Sequence, residues 1–267
     1  MGEIDFSTVT EITGNKVTKE QLNRMYTRYR FAAEFCDGRD VLEVACGTGQ
    51  GLGLLAKRAR RVFGGDVDEK ILKTAKDHYE NRGSITLKVL DAHKLDFENN
   101  SFDVVILYEA IYYLDQPNKF IKEAMRILRN DGVLLICLAN KELPDFNPSP
   151  YSREYFSAKE IFELLQKNGF KSISLFGDCP VSAGSAAGGI ISLIKRTAVR
   201  FNLIPKTMEG KELLKRIFFG KLQPLPQELN EGMSSYTRPV AITPQPDNKY
   251  YKVIFAVARK GGQPDAG

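Results

Sequence analysis

The stretch Val41-Leu-Glu-Val-Ala-Cys-Gly-Thr-Gly49 runs from an apolar segment into a glycine-punctuated turn, and Asp66 closes the next apolar segment, Arg61-Val-Phe-Gly-Gly-Asp66. A strand that ends in such a turn brings bare backbone up to a ligand, because glycine tolerates left-handed dihedrals and close approach. A carboxylate at the end of the neighbouring strand can pair with both hydroxyls of a ribose. Together the two features predict a site for an adenosyl ligand at the edge of a parallel sheet. The glycine frame separates dinucleotides from other adenosyl ligands. Counting Gly-x-Gly-x-x-Gly from Gly47 puts the third position on Leu52, and from Gly49 on Leu54. The in-frame variant from Gly51 ends on Ala56, inside what should already be helix. Pyrophosphate binding, and with it a dinucleotide oxidoreductase, is disfavoured.

Outward from this turn, strand and helix signals alternate. Thr18-Lys-Glu-Gln21 is a capping box, and Leu22, Met25, Tyr26, Tyr29 and Ala33 predict a helix running towards Cys36. Strands are expected at 40–45, 61–66, 85–90, 102–108, 133–139 and 171–177, with helices at about 51–60, after Asp68, and at 118–129. Ser157-Ala-Lys-Glu160 opens a further helix that stops at Gly169. A last strand is expected from Tyr250 to Ala258 after a long stretch of Gly, Pro, Ser and basic residues. Alternation of this kind predicts a parallel sheet with helices on its faces.

The pattern acid, aliphatic, small, any, Gly, Thr or Ser, Gly, written here Glu43-Val-Ala-Cys-Gly-Thr-Gly49, resembles the first motif of the class I S-adenosylmethionine-dependent methyltransferases. The resemblance covers residues 20–177 and 250–259. It implies a Rossmann-like α/β fold with seven strands in the order 3-2-1-4-5-7-6, strand 7 antiparallel, and S-adenosylmethionine as cofactor. It places Glu43, Ala45, Gly47 and Gly49 at the methionine portion, Asp66 and Val67 at the ribose, and Asp91 and Ala92 at the adenine edge. Tyr108 would line the cofactor. Tyr26 and Arg30 would come from an N-terminal helix that closes over it, Arg30 pairing with the cofactor carboxylate. Leu107-Tyr-Glu-Ala-Ile-Tyr-Tyr-Leu114 resembles the segment beside the transferred methyl, with Glu109 the better general base by chemistry and Tyr112 and Tyr113 either orienting an acceptor or packing in the core. His93 is read as facing solvent rather than reacting. Asn140-Lys-Glu142 and Asn147 to Phe156, including Tyr151 and Tyr155, should form the acceptor entrance.

The expected organisation is a core of residues 1–177 plus 250–259, an inserted helical cap at 178–249, and a disordered tail at 260–267. Between Ala186 and Lys221 lie Lys195, Arg196, Arg200, Lys206, Lys211, Lys215, Arg216 and Lys221 against Glu209 and Glu212, a net of +6 in a chain whose whole net is +5. Ile190, Ile194, Ala198, Phe201 and Ile204 read as one apolar stripe of a basic amphipathic helix. Such a helix can lie on an anionic membrane, clamp a phosphorylated acceptor, or roof the pocket. No apolar run reaches the length of a membrane span, and no basic-then-apolar leader opens the chain, so a cytoplasmic location with at most peripheral membrane contact is expected. Four widely spaced cysteines without a Cys-x-x-Cys pair read as free thiols, and two histidines without ligand spacing make a zinc site improbable. Nucleic acid is disfavoured because the charge is local.

The function expected is methyl transfer to oxygen of a small or sugar-like acceptor, with a phosphate-bearing or lipid-linked one suggested by the basic insertion. An amino-sugar or lipid-associated nitrogen acceptor, and a non-catalytic S-adenosylmethionine-binding subunit, are the alternatives.

Overall fold

The computed structural model describes residues 10–181 and 222–261. The amphipathic basic stretch and all of its charges lie outside the described residues, as does the tail beyond Gly261. Ten strands are present among the described residues: β1 (Lys16–Val17), β2 (Asp40–Val44), β3 (Arg61–Asp66), β4 (Ile85–Val89), β5 (Phe102–Tyr108), β6 (Leu128–Ala139), β7 (Ser172–Pro180), β8 (Gln223–Pro224), β9 (Val240–Ile242) and β10 (Tyr251–Arg259). Between them run α1 (Lys19–Ala33), α2 (Leu52–Ala56), α3 (Glu69–Tyr79), α4 (Pro117–Ile127) and α5 (Ala158–Lys167).

The main sheet has the order β4-β3-β2-β5-β6-β10-β7-β9. Its first five strands are parallel, and β10 runs antiparallel to both β6 and β7. This is the 3-2-1-4-5-7-6 order implied by the resemblance, extended at one edge by β9. Side-chain alternation explains the three layers. Val104, Ile106, Val133, Leu135, Val253 and Phe255 face α1 and α3, whereas Val105, Leu107, Leu134, Ile136, Ile254 and Ala256 face α4 and α5. No helix among the described residues is long and apolar enough to cross a membrane.

Both capping boxes form as the sequence predicts, at Thr18 with Gln21 and at Ser157 with Glu160. Three expectations differ. The helix after the glycine turn is only α2, which ends at Ala56. Strand β6 starts at Leu128 rather than 133: Asp131 is left-handed (φ 60°), yet its N–H donates to Lys260 O at 2.9 Å, so the Asp131-Gly132 turn is absorbed as an irregularity within the ladder. The returning limb of the expected cap, residues 222–249, lies on the core. Leu225 and Leu229 are buried in the cluster under α1 and α2, β8 pairs with β1, and β9 adds to β7.

Candidate functional site

Helix α1 packs so closely on the turn after β2 that a Cβ on Gly51 would lie 1.9 Å from the Tyr29 ring. Three residues of the turn are left-handed, Ala45 (φ 58°), Gly47 (φ 58°) and Gly49 (φ 77°). This reverses the chain tightly at the end of β2 and turns the Gly47 N–H towards the end of β3, where Asp66 Oδ2 accepts it at 2.9 Å. Asp66 Oδ1 accepts the Asp68 N–H at 3.0 Å, and Asp68 in turn caps α3. Burial pushes the Asp66 carboxyl up, opposed by its backbone hydrogen bonds. The turn and the acid therefore form one rigid unit at the carboxyl edge of the sheet. Beside it Val67 is 58% exposed, an apolar surface that a flat ring can cover.

Glu43 sits beneath the turn with 1% exposure. Tyr29 OH donates to its Oε1 at 2.6 Å, while Oε2 has no partner among the described residues. Burial raises its carboxyl to about 8, with Tyr29 and Arg28 opposing. Among the described residues the hydroxyl of buried Tyr108 and the buried Nε atoms of Arg28 and Arg24 are also without partners. Buried polar groups are ordinarily paired, so the unpaired Glu43 oxygen beneath the turn is an acceptor that a polar ligand can use.

Asp91 and Ala92 follow β4. Asp91 Oδ1 accepts the N–H of His93 and meets its Nδ1, both at 2.8 Å. Partial burial works against ionisation of Asp91, yet His93 holds the carboxyl below its ordinary value. His93 Nε2 receives the Gln116 N–H at 3.3 Å, so the imidazole is a bridge to the start of α4 rather than a group free in solvent.

Past β5, Glu109 is left-handed (φ 51°) and its Oε2 accepts the Tyr112 hydroxyl at 2.7 Å. Burial first, then the charge of Glu109, pushes the Tyr112 hydroxyl well up, so it remains a donor. Burial pushes Tyr113 to about 12, and its hydroxyl donates to Ser149 Oγ at 2.9 Å. Tyr155 stacks on Tyr112 with centroids 4.3 Å apart, and Phe146 meets Tyr155 edge-on at 4.7 Å. The segment 147–156 is thus brought against Tyr112 and Tyr113, beside Glu109. Asn140 and Glu142 are not: Asn140 is fully buried and donates to Asn248 O and Tyr251 O, and Glu142 accepts the N–H groups of Asp247 and Asn248. They pin the approach to β10.

Tyr26 and Arg30, expected at the cofactor, also meet the returning limb, Tyr26 OH accepting the Gly232 N–H at 2.9 Å and Arg30 pairing with Glu231 at 3.2 Å while stacking on Tyr236. The helix arginine that faces the site is Arg28, which the sequence reading passed over. Glu11 was also missed, because it precedes every periodic element.

Comparison with known proteins bears on this arrangement. Residues 42–136, from within β2 to within β6, match the methyltransferase domain family. A probable S-adenosylmethionine-dependent methyltransferase of Mycolicibacterium smegmatis is 34% identical over 149 residues, 54% of this chain and 56% of that protein. Residues 42–136 are a methyltransferase domain. The chain spans about half the length of the first curated relatives it matches. A ubiquinone biosynthesis O-methyltransferase of Coxiella burnetii is 25% identical over 62% of this chain and 68% of its own. Among solved structures, a methyltransferase of Thermotoga maritima described as a possible histamine N-methyltransferase superposes with a TM-score of 0.58 at 15% identity, covering 90% of this chain and 92% of that one, a likeness of fold. The matched segment of the methyltransferase domain contains the glycine turn, Asp66, Asp91 and Glu109. Arg28 and Glu11 lie outside it.

Proposed function

We propose that the chain transfers a methyl group from S-adenosylmethionine to a small acceptor, most favourably at oxygen. The observation that carries the reading is the joined unit of glycine turn and Asp66, with the unpartnered oxygen of Glu43 beneath it. That donor and acceptor set fits a ligand with a ribose at one end and an amino acid at the other. In this reading Asp66 takes the ribose hydroxyls, Val67 and Ala92 flank the adenine, Asp91 takes its edge, and the turn around Gly47 and Gly49 receives the methionine end. When bound, the cofactor supplies an electrophilic methyl on sulfur with a neutral thioether as leaving group.

The protein then has to align the acceptor, exclude water and accept one proton. Glu109 is the base: it is a carboxylate at the end of β5, and a hydroxyl nucleophile needs such an acceptor for its proton. Tyr112 and Tyr113, held protonated, orient rather than deprotonate. Tyr155 and Phe146 complete an apolar wall that keeps water out. The same four rings attract a cation, which favours an amine acceptor as second reading. The carbon-13 shift of a transferred labelled methyl separates the two.

The basic stretch between Ala186 and Lys221 supports a phosphate-bearing acceptor, such as a nucleotide-linked or lipid-linked sugar. Titration with uridine diphosphate and polyprenyl diphosphate tests this, and it is wrong if reversing Arg196 and Arg200 to Glu leaves both affinities unchanged. The main reading is tested by calorimetry with S-adenosylmethionine and NAD side by side, followed by a mass-spectrometric screen of cell extract for a gain of one methylene. Heat is expected from S-adenosylmethionine alone, and its loss in Asp66→Ala. Heat from NAD, or no S-adenosylhomocysteine formed with any extract, counts against it.

A further inference from the structure

Arg28 lies midway along α1 with its side chain 8% exposed, and it touches two other elements. One terminal nitrogen is 2.6 Å from Glu11 Oε2, and the other forms an ion pair with Glu109 Oε1 at 3.6 Å. Glu11 belongs to a strap, residues 10–15, that crosses the glycine turn. Gln50 Nε2 donates to Glu11 O at 2.6 Å, the Thr13 N–H donates to Thr48 Oγ1 at 3.2 Å, and the Thr10 methyl stands 3.3 Å from where a Cβ on Gly47 would be. Glu109 is tied on its other oxygen to Tyr112, and its backbone N–H donates to Cys137 O at 2.8 Å.

A guanidinium sealed between two carboxylates behaves as one unit. Losing the arginine leaves two facing carboxylates without a counter-charge, losing either acid leaves the guanidinium with one partner to hold its direction, and the planar fork fixes both partners in direction as well as distance. We propose that Arg28 is a positioning residue that couples the N-terminal strap to the acceptor-side carboxylate, so that Glu109 is held in its working orientation while the strap covers the glycine turn. The functional half of this inference rests on the methyl-transfer reading. The mechanical half does not. Strap closure fixes Glu11, Glu11 fixes one edge of the guanidinium, and the other edge fixes Glu109 against Tyr112.

The test uses the full chain and the variants Arg28→Met, Arg28→Lys, Glu11→Gln and Glu109→Gln. Hydrogen exchange at the Thr13 amide reports the strap, calorimetry with S-adenosylmethionine reports donor binding, and S-adenosylhomocysteine release with the extract fraction that gains the methyl reports turnover. Exchange at Thr13 should quicken about tenfold in Arg28→Met and Glu11→Gln and, most tellingly, in Glu109→Gln, whose side chain is linked to Glu11 through Arg28. Turnover number should fall roughly 100-fold in Arg28→Met, with about tenfold recovered by lysine, while donor affinity stays within about threefold. Unchanged Thr13 exchange in Glu109→Gln overturns the coupling. A loss of donor affinity beyond about tenfold in Arg28→Met overturns it differently, making Arg28 a donor-binding group. If Arg28→Met does not fold, Glu11→Gln, at a partly exposed position, carries the same exchange and turnover comparison. Absence of any turnover by the wild type, with the exchange effect of Glu109→Gln intact, would refute the methyl-transfer reading and leave the coupling standing.

Discussion

At the scale of single residues, the turn after β2 makes opposite demands on two small side chains. Gly49 is left-handed, and an added Cβ would lie 2.9 Å from Ala75 Cβ and 3.2 Å from the Tyr79 ring. Gly49→Ala therefore combines backbone strain with overpacking and should cost about 2–3 kcal/mol in thermal or denaturant unfolding. Ala45 is also left-handed but carries its Cβ natively. Ala45→Gly relieves about 1–2 kcal/mol of strain and returns part of that as lost unfolded-state restriction, so a gain of about 0.5 kcal/mol is expected. A destabilised Ala45→Gly would show that the alanine methyl contributes packing the dihedral argument omits. The glycine turn, Asp66 and Glu109 were legible in sequence because each ends a strand whose apolar run fixes its place. Arg28 was not. Arg28 and Arg30 flank the apolar stripe of α1 on opposite sides, and periodicity alone cannot tell which flank meets the sheet edge and which meets the returning limb.

Elements were legible where a local rule decides them. Thr18 Oγ1 accepts the Gln21 backbone N–H and Gln21 Oε1 accepts the Thr18 backbone N–H, both at 3.1 Å. Thr18→Ala should cost about 1 kcal/mol, lowering Tm by about 2–4 °C, and Ser157→Ala a similar amount at α5. A drop well beyond this for Thr18→Ala alone would mean that the α1 start also holds β1 and its partner β8. The elements that escaped sequence reading have no local signature. β9 is largely exposed, three residues long, and exists because β7 offers an open edge. The returning limb buries Leu225 and Leu229 without a helical or strand period, and is fixed by long-range bonds: Leu229 N–H to Gln50 O, Glu228 to His78 and Arg82, and Arg238 to Glu34. Only the folded core creates those partners, so a reading of residues in order meets them as a loop. The same limb, expected as part of a separate cap, contributes to the core that supports the glycine turn.

Across the whole molecule, two buried carboxylates on the same strand should give stability two pH limbs of opposite slope. At the amino end of β2, Asp40 is fully buried and bonded by Arg60 and Arg61, with Arg129 at 3.0 Å. The hydrogen bonds from Arg60 and Arg61 hold its carboxyl well below the usual range. A depressed carboxyl contributes stability that is present above its unfolded value, near 4, and is lost as pH falls below that towards the folded value. At the other end Glu43 has the opposite sign, its carboxyl raised by burial to about 8. The folded state then binds the extra proton between about 4.5 and 8, so stability falls as pH rises through that window, by up to about 5 kcal/mol. Melting temperature followed from pH 3 to 9 should rise steeply on the acid side, where other carboxylates add to Asp40, and decline gently towards pH 8. Asp40→Asn should flatten part of the acid limb and lower Tm at pH 7, because three arginines lose a shared counter-charge. Glu43→Gln keeps an acceptor for the Tyr29 hydroxyl and carries no proton to lose, so it should remove the neutral limb and raise Tm at pH 8 relative to wild type. A wild-type curve that is flat from pH 5 to 8, together with Glu43→Gln below it throughout, would show that Glu43 is charged in the folded state.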